Sequence, residues 1–263
     1  MKTNLITVLF ASILFVFSSK TFPQNSSQDA LLKKGKVLIE QAYASYNQEL
    51  FLKSRNIFEQ VYDSNRTNFL PLYYMTFIDY KLLEMSLREQ GDEMFNKYYD
   101  GAEKNAKQIS ESKDWESEGK TLLAAVYMMK IAKSPMAAVS LAPKISELLM
   151  EAEDSNPANP RSYLIDGMMK FNTPKTYGGS FELAGDNFRK AVSIYEKQDT
   201  TFTLRPSWGY LEALTWLGRS LEQLNNNESA KFMYQKVLSI QPEFGWVKYV
   251  LLPELEKKMK EKN

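Results

Sequence analysis

The sequence predicts an all-α protein: a right-handed α-solenoid of about five helix pairs, closed by a C-terminal capping helix. Three observations carry that expectation. Residues 211–244, LEALTWLGRSLEQLNNNESAKFMYQKVLSIQPEF, place Leu211, Leu214, Leu217, Gly218, Ala230, Tyr234 and Pro242 at positions 1, 4, 7, 8, 20, 24 and 32 of a repeating unit. Small residues fall where two antiparallel helices approach closely, and an aromatic fills the groove between them. From Asp29 onward the apolar spacing is helical almost throughout, and strand-like alternation between turn residues is nearly absent.

The elements follow in order. Residues 1–24 read as a signal peptide: Lys2 precedes an apolar run from Leu5 to Phe17, too short to span a bilayer, and small polar residues follow. Cleavage is expected between Ser19 and Ser26, the alternative being a retained signal anchor. Residues 25–28 are a polar linker, and 29–263 form the repeat domain. Its first pair covers 29–46 and 50–64, with Leu38, Ala42, Ser54, Phe58 and Val61 at the packing positions. The second pair covers 69–89 and 92–110, broken at Gly91; its first helix is apolar on more than one side, as a helix between neighbours must be. The third covers 114–132 and 136–154, where Pro143 is expected to kink or split the second helix.

The fourth unit, 160–198, has Tyr163, Gly167, Ala184, Phe188 and Ala191 at packing positions, but five extra residues separate its helices. They fall in Thr173-Pro-Lys-Thr-Tyr-Gly-Gly, and a loop lengthened inside a repeat projects from one face of a solenoid, often the binding face. Units 160–198 and 211–244 are the best copies. A charged helix after Pro253 supplies the polar cap that a solenoid end requires.

The unit at 211–244 resembles a tetratricopeptide repeat, which implies neighbouring repeats and a binding module. Within that superfamily, residues 159–253 resemble exported bacterial repeat proteins, several from the Bacteroidetes. The residues that carry this likeness are Thr173, Pro174, Gly178 and Gly179; Pro206, Trp208 and Gly209; and Trp246, Val247, Lys248, Leu251, Leu252 and Pro253. The pattern is also similar to the periplasmic T component of TRAP transporters, although the cysteine that anchors many of those proteins is missing here.

Composition excludes several chemistries. The chain has no histidine and no cysteine, so neither a Ser-His-Asp triad nor a thiol nucleophile can be built, nor a histidine- or thiolate-ligated metal. The formal charge is +1, and loss of Lys2 and Lys20 with the leader makes it −1, too balanced for nucleic acid as the main partner. A second apolar run of spanning length is lacking, so no membrane insertion is expected after cleavage. Carboxylate pairs such as Asp166 with Glu182 read as solvated helix surface. No catalytic residue, cofactor or metal is assigned.

What remains is a binding surface for a protein, peptide or small ligand. Its candidate residues are Lys175, Tyr177, Gly178 and Gly179 in the long loop, with Trp208 and Tyr210 after the next helix. The glycines provide a turn at positive φ or let backbone approach a partner. Trp208 either packs under the loop or lines a groove with Tyr177 and Tyr210.

Overall fold

The computed structural model describes residues 24–89, 92–198, 201 and 203–261. The expected signal peptide, apart from Gln24, and the break at Gly91 lie outside them. Eleven α-helices and no strand occur among the described residues: α1 (Gln24–Ser45), α2 (Gln48–Ser64), α3 (Phe69–Glu89), α4 (Asp92–Ser110), α5 (Glu116–Lys133), α6 (Ala138–Ser155), α7 (Pro160–Asn172), α8 (Phe181–Tyr195), α9 (Tyr210–Gln223), α10 (Asn227–Ile240) and α11 (Leu252–Lys260). Consecutive helices pair as five antiparallel hairpins, and each hairpin leans on the next. The first helices of neighbouring hairpins also touch directly, α3 against α5, α5 against α7 and α7 against α9, so they form one layer and the second helices another. This is a tetratricopeptide-like solenoid with α11 as its cap.

One packing device recurs. A Cβ placed on Gly218 would lie 2.5 Å from the Tyr234 ring, one on Gly167 2.5 Å from Phe188, and one on Gly35 2.7 Å from Phe58. In these three hairpins a ring on the second helix lies against backbone of the first, which only glycine leaves bare. The first unit therefore differs from the sequence reading. Gly35, not Ala42, faces Phe58, and Ser54 Oγ donates to the Gly35 carbonyl at 2.8 Å. Ala42 is buried too, but further along α1, because α1 and α2 extend their hairpin by two turns.

Two other expectations are corrected. Residues 25–28 are not a linker: they belong to the opening of α1, where neither glycine nor proline stands among them, and Gln28 Nε2 donates to Ser64 Oγ at 2.9 Å. Nor does Pro143 split the second helix of the third pair; α6 runs unbroken through it after a 3₁₀ turn at Pro135–Ala137. Near the first turns of a helix a missing N–H removes little of the ladder. Before α11, residues Val247–Leu251 widen into a π-helical turn. Pro253 follows directly, and a wider turn keeps its ring clear of the preceding backbone.

Two apolar cores fill the layers. One involves α1–α6 with Ile165 of α7 and the other α7–α11, and Met168 and Trp208 pack against both. Between α2 and α3 the Arg55 guanidinium grips Asp79 with Nε–Oδ1 2.6 Å and Nη2–Oδ2 3.3 Å. Burial still pushes the Asp79 carboxyl up to about 6, against the pull of Arg55.

Candidate functional site

The connection from α8 to α9 is the element that shapes the interior. Its described part, residues 203–209, crosses back over the first helices of the N-terminal hairpins as a strap. Lys36 on α1, almost fully buried, donates to the carbonyls of Thr203 and Arg205, the latter at 3.3 Å. The Tyr74 hydroxyl on α3 lies 3.0 Å from the carbonyls of Leu204 and Arg205 and donates to them. Arg161 on α7 donates from Nη1 to the Pro206 carbonyl at 3.2 Å.

Trp208 anchors the strap. Its Nε1–H donates to the Tyr73 hydroxyl at 2.8 Å, and its ring stacks on Phe77 with centroids 4.8 Å apart. Tyr73 in turn donates to Glu118 Oε2 at 3.0 Å, and Glu118 receives the Arg161 fork, with Nε 3.1 Å from Oε1 and 2.9 Å from Oε2. Burial, then the Glu118 charge, hold the Tyr73 hydroxyl well above its ordinary pKa, so it remains a donor. Gly209 ends the strap at φ +110°, and a Cβ there would fall 2.1 Å from the Tyr195 hydroxyl, which donates to Trp208 O at 2.6 Å.

Three cavities adjoin along the first helices, the first two of them bordered by the strap. The first, about 250 Å³, is walled by Tyr43, Tyr74, Phe77, Trp208, Tyr210 and Phe244 among others. The second, about 550 Å³, shares Tyr43, Trp208, Glu212 and Phe244 with it and adds Tyr80, Lys81, Arg88, Trp216 and Trp246. The third, about 960 Å³, shares Tyr80, Glu84, Met168 and Trp216 with the second. Met128, Met129 and Met169 also line it, and its mouth is edged by Val139 and Tyr177, both more than four-fifths exposed. The walls of the first two come from α1 and α3 on one side and mainly from α9 and the segment after α10 on the other, whereas the third is walled mainly by α5, the start of α6, α7 and the loop that follows it.

The walls carry few charges, and most of them cluster in the second cavity. Lys81 pairs with Glu84, lies 3.9 Å from Glu212, and faces the rings of Tyr43 at 4.9 Å and Tyr80 at 5.5 Å. Burial pushes the Glu212 carboxyl up to about 8. Among the described residues no three acidic side chains gather to hold a metal ion, and no helix is long and apolar enough to cross a membrane. Asp166 contacts Lys170 and Asn187, whereas Glu182 accepts from Ser180.

The residues expected from sequence scatter over this geometry. Trp208 and Tyr210 share the first cavity, while Tyr177 stands at the mouth of the third. The Tyr210 hydroxyl donates to Glu196 at 3.1 Å. Trp208 does not pack under the long loop; it packs on α3. Lys175 is exposed and faces the Phe181 ring at 5.7 Å. Gly178 takes φ +91° beside open space. Gly179 is buried against its own loop, where a Cβ would meet the Thr173 carbonyl oxygen at 1.7 Å, so it serves loop closure and offers no backbone to a partner. Sequence reasoning missed Lys81, Glu212, Glu118 and Arg161, which look like ordinary helix-surface charges. The signal for the strap was the irregular Pro206–Gly209 turn in a connection longer than a hairpin needs.

Comparison with known proteins agrees with this architecture. Residues 211–244 match the tetratricopeptide repeat family. The fold is similar to the HusA haemophore from Porphyromonas gingivalis, with a TM-score of 0.60 and 19% identity over 74% of this chain and 92% of that one. It is also similar to a thermophilic tetratricopeptide protein of Thermus thermophilus, with a TM-score of 0.60 and 16% identity over 87% of this chain and 98% of that one. No curated protein matches the sequence. One segment thus matches this repeat family, within a tetratricopeptide-like fold whose first helices are crossed by a strap.

Proposed function

We propose that this protein is an exported, non-catalytic binding module that holds a small apolar ligand inside its solenoid. The observation that carries the reading is the run of three adjoining, aromatic- and methionine-lined cavities along the first helices, two of them bordered by the strap. Concave, mostly apolar clefts with a few convergent polar groups are the usual form of small-ligand sites. An extended peptide laid along the concave face would compete with the strap, which already takes the donors of Lys36, Tyr74 and Arg161 there. A small ligand needs no such displacement.

One of the structural neighbours is a haemophore, which makes a porphyrin the first ligand to try. With no histidine or cysteine in the chain, stacking on tryptophan and tyrosine and contact with methionine would do the holding. The reading as an accessory of a TRAP-like transport system rests on sequence resemblance alone and would use the same interior.

Protein purified from its native envelope and extracted with organic solvent should release an apolar molecule in near-stoichiometric amount. Tryptophan emission should quench saturably on titration with protoporphyrin IX or a long-chain lipid. Absence of both, together with stoichiometric co-purification of a peptide or protein, would overturn the reading. Export follows from the Leu5–Phe17 run and predicts a mature N-terminus between Ser19 and Ser26; Met1 intact on membrane-bound protein would contradict it.

A further inference from the structure

The third cavity opens through an apolar rim. Among the described residues the most exposed large apolar side chains are Tyr177 at 82%, Met136 at 81% and Val139 at 81%. Val139 on α6 and Tyr177 in the long loop both line the cavity. Met136 stands in the 3₁₀ turn Pro135–Ala137, whose Pro135 lines it as well. Single apolar side chains on a protein surface are ordinary, but a gathering of the most exposed ones at one opening marks a contact surface.

The charges beside the rim are basic. Residues 134–143, SPMAAVSLAP, carry no charge, yet every one of them is exposed or half-buried. Lys133 precedes this run and Lys144 follows it, and residues 119–146 contain no acid at all. Lys175 stands two residues before Tyr177 in the long loop. Lys133 pairs with Asp92, but among the described residues neither Lys144 nor Lys175 forms an ion pair; Lys175 lies over the Phe181 ring at 5.7 Å. The nearest acids along the chain are Glu147, one turn beyond Lys144, and Glu182, which accepts from Ser180. An uncharged apolar segment bracketed by lysines, with a tyrosine beside it, has the composition of an interfacial membrane contact. Protein interfaces are depleted in lysine, whereas each lysine near an anionic bilayer adds attraction.

We propose that the rim of the third cavity docks on an anionic lipid bilayer. Met136, Val139 and Tyr177 enter the headgroup layer, and Lys144 and Lys175 lie against lipid phosphates. An apolar ligand then passes between the bilayer and the cavity of about 960 Å³ without crossing water, a step that rests on the preceding reading of the interior. The contact is peripheral, since no described helix is long and apolar enough to cross a membrane. The whole chain is close to neutral, so the attraction comes from the rim alone. Binding is therefore weaker on zwitterionic lipid and falls as salt rises.

The test is flotation of the full-length mature protein with vesicles of phosphatidylglycerol and phosphatidylethanolamine, and with vesicles of phosphatidylcholine alone. The wild type should float with the first and largely stay behind with the second. Met136→Asp, Val139→Asp and Tyr177→Asp should each lower the partition coefficient about tenfold or more. Lys144→Gln and Lys175→Gln should each lower it about fivefold. Phe232→Asp, at a 61% exposed site on α10 that lines none of the three cavities, should leave it unchanged. All these positions are exposed, so each variant should fold as the wild type does, which circular dichroism checks. A wild type that floats with neither vesicle, or rim variants that float as well as the wild type, overturns the docking. So does a rim that crosslinks to an envelope protein while the chain ignores vesicles. Palmitate titrated without vesicles reports on the interior separately. Tryptophan quenching that persists where flotation fails leaves the apolar-ligand reading standing, whereas flotation that follows the rim variants without any quenching upholds the docking and removes that reading.

Discussion

Arg161 joins the strap to the solenoid, and replacing it by methionine tests whether that junction bears on stability. The Arg161 and Glu118 side chains are 7% and 14% exposed. Glu118 also accepts from Tyr73, which holds Trp208, so loss of the guanidinium leaves a buried carboxylate at the centre of the relay. Removing one partner of a buried ion pair costs about 3–5 kcal/mol, most of it from the charge left behind. Arg161→Met should therefore destabilise by that amount in urea melts, and the bond to the Pro206 carbonyl is lost with it. Glu118→Gln keeps an acceptor for Tyr73 but removes the charge. The double variant should accordingly be more stable than the sum of the single costs by about 1–3 kcal/mol, a coupling typical of residues in one network. A cost below about 1 kcal/mol for Arg161→Met, with strict additivity, would show that the strap is not held in this way.

Further outcomes follow from individual residues. Ala230, fully buried beside the Gly218–Tyr234 contact, should lose about 1–3 kcal/mol on replacement by leucine, while Gln235→Leu on the exposed face of α10 should stay within about 0.5 kcal/mol in the same melts. Gly209→Ala should destabilise clearly, because it combines positive φ with the Tyr195 contact; unchanged thermal melting would contradict it. Glu212 keeps its proton to about 8 in the folded chain but releases it near 4.5 when unfolded, so its stabilising contribution is full below 4.5 and is lost as pH rises to about 8. Lys81 and Glu84 of α3, Glu40 and Tyr43 of α1, Tyr210, and Glu243 with Lys248 share the surrounding walls. Glu212→Gln should remove a pH-dependent loss on the order of 3 kcal/mol between pH 5 and 9, measured as the difference between variant and wild-type urea melts; parallel profiles would refute it.

The fold was legible because solenoid packing is written in short-range spacing. Gly167 with Phe188, and Gly218 with Tyr234, meet as their separations along the chain require, and a lengthened loop at 173–179 shifts the pairing without hiding it. The first unit was misread because Ala42 and Gly35 are both small and one helical face apart by two turns; only the position of the Phe58 ring chooses between them. The site was less legible for a physical reason. Trp208 meets Tyr73 and Phe77 more than 100 residues away in sequence, and no periodicity encodes a strap that bonds to α1, α3 and α7. Lys81 and Glu212 are spaced like any exposed helix charge, and only closure of the two chain ends buries them together. The loop that carries Tyr177 to the third cavity was legible, because an inserted loop is visible in one dimension.

The central claim is that the cavities along the first helices, and not an outer helix face, are where this protein holds its ligand. A diazirine-bearing palmitate analogue, photolysed with the protein and mapped by peptide mass spectrometry, tests it most directly. The account predicts saturable labelling, competed by unlabelled palmitate, at the cavity residues Tyr80, Met128, Met129, Met168 and Met169. Labelling confined to the outer faces of α4, α8 and α10, or labelling that never saturates, would contradict it.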